Sequence, residues 1–262
     1  MHDLNALHVF LTLMQCQSTQ RAARKLGRSQ SYISKVLAQL REDLDDPLFT
    51  RSNEGLSPTS YAISIEPKLR KALESVNLAL EPATFSPDRV DKVTIHMAEP
   101  YVVAFGKKLI QEIRKESDAL IELRTWNKVS ESMIIDDEVD IGLHVLTDKP
   151  QTIYQRRVHT GSAYFNGNED GDYIKFIVSG FNDHTNYYHV LRPDIEERVI
   201  VDNYSVMTEM MDIGYTLRYH RLDSPNPDSH INIEIALIMK ASKRHSPKLV
   251  WLSDLITRIV NA

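Results

Sequence analysis

"STQRAARKLGRSQSYISKVLAQLREDL", residues 18–44, reads as two amphipathic helices separated by the short break Gly27-Arg28-Ser29. Ser18 suits the capping position of the first helix, because its hydroxyl can accept a hydrogen bond from an otherwise unpaired first-turn N–H. Ala22, Ala23 and Leu26 would face inward, and Gly27 ends the helix, since only glycine enters the left-handed region without a Cβ penalty. Ser29 caps the second helix. Its buried stripe is Ile33, Val36, Leu37, Leu40 and Leu44, at spacings of three and four. Two helices joined by a turn this short and containing glycine form the helix-turn-helix pattern, although short helical hairpins also occur in purely structural bundles. The outer face carries Gln30, Ser31, Ser34, Lys35, Gln39 and Arg41. It is either a solvated surface or one that reads base edges with short polar groups and phosphates with cations.

Upstream, Leu4, Leu7, Leu11 and Met14 recur as one helix face, with Phe10 beside them. Downstream, "DDPLFTRSNEGLSPT", residues 45–59, reads as a small β-wing. Pro47 ends the helical region, and Leu48 and Phe49 open a short buried strand. Asn53 and Gly55 supply turn chemistry, Leu56 to Pro58 return, and Arg51 stands at the edge. Residues 59–83 read as a long helix in which Pro67 should start a new segment or make a kink. Residues 81–91 hold two prolines and read as a linker.

From residue 92 the pattern alternates. "VTIHMA", "ALIELRTW" and "VDIGLHV" read as buried strands, separated by helices over 101–116 and 129–137. The order βαβαβ predicts a parallel sheet with right-handed crossovers. Residues 154–200 have no clear period, with strands expected at "SAYF" and "YIKFIVS". "NYSVMTEMMDI" reads as a helix and "INIEIALIMKA" as a strand. "SPKLVWLSDLITRIVNA" reads as a capped final helix.

Charge is unevenly placed. Residues 1–90 hold 11 Lys and Arg against 10 Asp and Glu, while the remainder holds 20 against 26, so the net charge of −5 lies in the C-terminal part. Arg21 to Arg41 contains six basic residues and no acidic one. A locally basic segment on an acidic protein is compatible with a polyanionic partner. The single cysteine, Cys16, excludes an internal disulfide and leaves no second thiol to resolve an oxidised one. No apolar run approaches the roughly 20 residues that span a bilayer. The N-terminus shows no basic segment followed by an apolar core, so a cytoplasmic location is expected and no membrane partner. No nucleophile elbow, phosphate loop or metal-ligand spacing occurs. Neither catalysis nor a cofactor or metal is expected.

The string "STQRAARKLGRSQSYISKVLAQLREDLDDPLFTR", residues 18–51, resembles the LysR-type transcriptional regulators. The matching elements are Ser–x–x–x–Ala–Ala–x–x–Leu, then Ser–Gln, Ser–Lys and Leu–Phe–x–Arg. "GLSPTSYAISIEPKLRKAL" resembles the linker helix of one branch, and the N-terminal resemblance covers about residues 4–80. The rest matches in the order of its elements. The resemblance implies a multidomain α plus α/β protein. A winged helix-turn-helix spans 1–60, a long dimerising linker helix and hinge 61–90, and a periplasmic-binding-protein-like α/β effector domain 91–262. Its second lobe looks trimmed, because the chain before "VIVDNYSVM" is short. "YTLRYH" stands where the family usually has an apolar strand ending in proline.

The implied DNA contacts are Arg21, Arg24 and Arg28 on phosphates, Ser29, Gln30, Ser31, Ser34 and Lys35 at the front of the second helix, and Arg51 on the wing. The implied partners are double-stranded DNA, a second copy of the chain in a homodimer or homotetramer, and a small-molecule effector. Effector positions carried over are Glu99 and Pro100, Thr125, and Asn203. Glu99 stands at the expected N-cap of its helix, which disfavours an anionic ligand anchored at that turn and favours a cationic or neutral one, or none. A regulator or antagonist that responds to no ligand, its C-terminal domain serving only oligomerisation, is the alternative.

Overall fold

The computed structural model describes residues 3–52, 55–80, 85–221 and 231–262. Asn53, expected in the wing turn, and residues 81–84 of the linker lie outside them. The chain divides into two compact units, Met1–Ala83 and Thr84–Ala262.

The first unit contains helices α1 (Leu4–Cys16), α2 (Thr19–Leu26) and α3 (Gln30–Leu44), strands β1 (Phe49–Ser52) and β2 (Gly55–Pro58), and helix α4 (Ser60–Ala79). Its core gathers Phe10, Leu13, Ala22, Ile33, Leu40 and Phe49, each at most 2% exposed. Local chemistry fixes the helix ends. Ser18 Oγ accepts from Arg21 N and Ser29 Oγ from Tyr32 N. Gly27 takes φ +61°, and the following Arg28 N–H reaches back to the Ala23 carbonyl at 2.9 Å, which satisfies the carbonyls at the end of α2. α4 begins where expected, with Thr59 Oγ1 accepting from Ala62 N at 3.0 Å. It runs through Pro67 without interruption, contrary to the expected break. Proline there removes only the bond to the Ile63 carbonyl, and Ile63 is 57% exposed, so water can take that carbonyl. α4 also packs into this unit, with Ala62 fully buried and Ile65, Leu69 and Leu73 against the core.

The wing is tied to both neighbours. Arg41 donates from Nε to the Pro47 carbonyl at 2.7 Å and from Nη2 to the Phe49 carbonyl at 2.9 Å. Leu48 is fully buried yet has φ +58°, held there by its N–H bond to Asp46 Oδ1 at 2.7 Å. On the other side, Leu56 N donates to the Gln17 carbonyl at 2.9 Å.

The second unit holds β3 (Lys92–Met97), α5 (Glu99–Arg114), β4 (Leu120–Thr125), α6 (Ser130–Ile135), β5 (Ile141–Val145), β6 (Ile153–Gly167) and β7 (Asp172–Phe176). There follow α7 (Tyr188–Leu191), β8 (Val199–Val201), α8 (Tyr204–Glu209), β9 (Gly214–Arg221), β10 (Asn232–Lys240) and α9 (Pro247–Asn261). They share an eight-stranded sheet in the order β4-β3-β5-β10-β6-β9-β7-β8. β3 is parallel to β4 and β5, as the βαβαβ pattern predicts. α5 and α9 pack on this first lobe. Along α9, Leu249, Leu252, Ile256 and Ile259 repeat at three and four and are all buried. The antiparallel pair β6–β10 carries the sheet into a small second lobe of β7, β8 and β9, whose helices α7 and α8 have only four and six residues. "SAYF" is the end of the 15-residue β6, not a separate strand.

One buried cluster in the first lobe is polar. His96 and Gly142 are register partners on β3 and β5, so His96 and His144 share a face. Trp126 lies over Gly142, where any Cβ would overlap its ring, and stacks on His144 at 4.9 Å. The Nε2 atoms of both histidines are buried without a partner. Burial, more than any charge, lowers both pKa values, that of His144 from 6.5 to about 4. Among the described residues no helix is long and apolar enough to cross a membrane.

Candidate nucleic-acid interface and ligand cavity

The nine residues expected to meet DNA are all exposed. Gln30, Ser31, Ser34 and Lys35 lie on one side of the first two turns of α3, opposite the buried Ile33, Leu37 and Leu40. Arg21 and Arg24 project from α2, and Arg28 and Ser29 form the turn. Arg21, Arg24, Ser34, Lys35 and Arg51 spend no side-chain hydrogen bond or ion pair on other described residues. They differ in this from Arg41, which is consumed by the wing carbonyls. Gln30 Nε2 donates one of its two protons to Thr19 Oγ1 at 3.1 Å. That leaves one N–H and the Oε1 acceptor, the pair that adenine N7 and N6 require. Ser29 Oγ and Ser31 Oγ are 3.0 Å apart. Tyr32, which the sequence reading passed over, is 36% exposed and sits under the Arg28 guanidinium at 5.7 Å. Its place in the first exposed turn was the available signal.

In the second unit a cavity of about 310 Å³ lies between the lobes. Its walls are mainly aromatic and apolar, among them Tyr101, Phe105, Phe176, Phe181 and Leu217. His159 on β6 is held by the Tyr101 hydroxyl at 2.9 Å, and Tyr219 OH donates to the Ile233 carbonyl at 2.8 Å. Burial pushes the Tyr173 and Tyr219 phenols up, so both stay neutral donors. Lys175, 7% exposed, is met by Asn186 Oδ1 at 2.6 Å and Glu197 Oε1 at 3.2 Å. Glu197 also accepts from the Tyr188 hydroxyl, the main reason its carboxyl is held below the usual range.

Pro100 lines this cavity. The N-cap of α5 is Ala98, which caps with no side chain, and Glu99 is the first helical residue, one position later than expected. The reason is Pro100, which is accepted at either of the first helical positions and so does not fix the register of the cap. Glu99 turns to the other lobe instead, where Oε2 accepts the Tyr204 N–H at 3.0 Å. Thr125 ends β4 and is exposed away from the cavity. Asn203 caps α8, accepting from Val206 N at 3.0 Å, and does not line the cavity.

Residues 4–62 match the family profile described as "Bacterial regulatory helix-turn-helix protein, lysR family". The whole chain is similar in fold to a full-length OxyR variant from Pseudomonas aeruginosa, at 14% identity and a TM-score of 0.64, with 99% of this chain and 98% of that one covered. A Corynebacterium glutamicum OxyR variant with hydrogen peroxide bound gives 16% identity and 0.52, covering 99% and 94%. A Pseudomonas aeruginosa protein assigned to the LysR family gives 15% and 0.50, covering 99% of each. Residues 4–62 thus form a helix-turn-helix unit of the kind that profile describes, and the chain along nearly its whole length is similar in fold to these full-length proteins.

Proposed function

We propose that the protein is a transcriptional regulator that binds duplex DNA sequence-specifically as a homo-oligomer and responds to a small molecule held in the cavity of its second unit. The observation that carries the DNA reading is the uncommitted set on the first unit. Ser34 and Lys35 on α3, Arg21 and Arg24 on α2, and Arg51 on the wing are exposed and spend no side-chain bond on other described residues. In this reading the front of α3 enters the major groove, Arg51 suits the adjacent narrow minor groove, and Arg21, Arg24 and Arg28 hold phosphates. α4 supports pairing of two copies, since Tyr61 and Ile63 leave apolar surface exposed. A dimer would read two half-sites one turn, ~10 bp, or a multiple of it apart.

The test is a gel-shift titration on an operator selected from genomic fragments. Lys35→Ala and Gln30→Ala should each cost about 1–3 kcal/mol on that operator and little on unrelated DNA. Unchanged affinity in both variants would remove α3 from the reading face. A regulator needing no ligand is the second reading. Its support is the Glu99–Tyr204 bond, which joins the two lobes through the protein's own carboxylate.

A further inference from the structure

Two cations line the inter-lobe cavity, Lys175 and Arg218, and they are treated differently. Lys175 has a carboxylate, Glu197, within ion-pair distance. Arg218 has none among the described residues. Its guanidinium donates to the Tyr204 hydroxyl and, at 3.3 Å, to Asn166 Oδ1, and lies 5.6 Å from the centre of the Tyr204 ring. All of these groups are neutral. Arg218 is therefore a half-buried positive charge at a cavity wall, with donors to spare and no counter-charge among the described residues.

Tyr204, which lines the cavity, also meets an acid. Glu99 takes the Tyr204 N–H, so the first backbone donor of α8 faces a protein carboxylate. Tyr204 thus stands between the two charges, its N–H on Glu99 and its hydroxyl on Arg218. A carboxylate that approaches Arg218 meets no competing acid among the described residues, and the cavity wall also holds Tyr101, Phe105, Phe176 and Phe181.

Resting on the reading of this cavity as the effector site, we propose that its ligand is an aromatic acid that lays its ring against these side chains and its carboxylate on Arg218. A guanidinium fork matches two carboxylate oxygens, and an Arg–carboxylate pair is stronger than a neutral hydrogen bond. Such an acid supplies the counter-charge that no described residue gives Arg218.

The experiment is titration calorimetry on the full chain with matched probes: benzoate, phenylacetate and indoleacetate against benzyl alcohol, phenylethanol and tryptophol. At least one acid should bind about tenfold or more tightly than its alcohol. Arg218→Gln should bring that acid to the affinity of its alcohol and leave the alcohol unchanged, and retained alcohol binding shows that the variant is folded. Alcohols binding as tightly as their acids in the wild type, or a preference for acids that survives Arg218→Gln, overturns the assignment of Arg218 while leaving the cavity a ligand site. No binding by any of the six overturns the effector reading itself.

Discussion

Acid should loosen the second unit through His144. Its side chain is 2% exposed, stacked on Trp126, and its Nε2 has no partner, so protonation in place would put an unsolvated charge in the sheet. The pKa falls from 6.5 to about 4, with burial the largest cause. The native state thus prefers the neutral ring. Stability is intact above the unfolded value, falls as the pH drops from there toward the folded value, and levels off below it. Each pH unit in that window removes about 1.4 kcal/mol. Between about pH 7.5 and about pH 5 the loss from this one residue is therefore about 2 kcal/mol, or roughly 30-fold in the folding equilibrium. Both tryptophans of the chain, Trp126 and Trp251, lie in the second unit, so tryptophan fluorescence in urea reports on that unit alone. His144→Phe keeps a ring against Trp126 and removes the titration. Its absolute stability differs from wild type for other reasons, but its difference between the two pH values should be smaller by about 2 kcal/mol. His96, whose pKa is also lowered, remains in both proteins and cancels. Equal acid losses in variant and wild type would refute the assignment.

Three further outcomes follow from the first unit. Arg24→Ala should weaken binding to all DNA sequences alike and reduce the slope of log affinity against log salt by about 0.9, one phosphate's worth; a sequence-dependent loss would place Arg24 on a base instead. Gly55→Ala should detach the wing from the turn after α1, because at φ +129° its Cβ would stand 2.7 Å from the Gln17 carbonyl oxygen, backbone against backbone. Hydrogen exchange of the Leu56 amide should accelerate about tenfold or more, and unchanged protection would mean that the turn yields at little cost. Ser29→Ala should cost about 1 kcal/mol of stability through the lost cap on Tyr32 N, read as a lower urea midpoint by far-UV dichroism.

The helix-turn-helix was legible because its signals are local. Ser18, Gly27 and Ser29 act within three residues of themselves, and the apolar stripe of α3 needs no knowledge of its partner. The first lobe was legible for a similar reason, as β3 and β5 are buried nearly along their length and flanked by turn residues; β4, also expected to be buried, is the edge strand of the sheet and is only half-buried or exposed. β6 was not. It passes from one lobe to the other, and its register against β10 shifts between Ile235 and Ala236, where Arg157 and His159 pair with successive residues and Val158 is left over. A period of two does not survive that extra residue. At the cavity, Glu99 was noticed as an unusual acid, but its partner lies 105 residues away. "YTLRYH" stood out only as a departure, because the sequence does not tell that β9 places Arg218 beside Tyr204. The histidines looked scattered for the same reason, since only the pairing of β3 with β5 brings His96 and His144 to one face.

The two hydrogen bonds from Arg41 to the wing have a consequence for the proposed DNA binding. One guanidinium clamps the last turns of α3 to the carbonyls of Pro47 and Phe49, and Arg51 follows two residues later. Helix and wing therefore move as the two jaws of a locked caliper. In the proposed mode of binding, the number of base pairs between the positions met by α3 and the one met by Arg51 would be set by the protein. An operator with one pair inserted between them cannot be rescued by a swing of the wing. Spacing variation among natural target sites should then fall between half-sites and not within one.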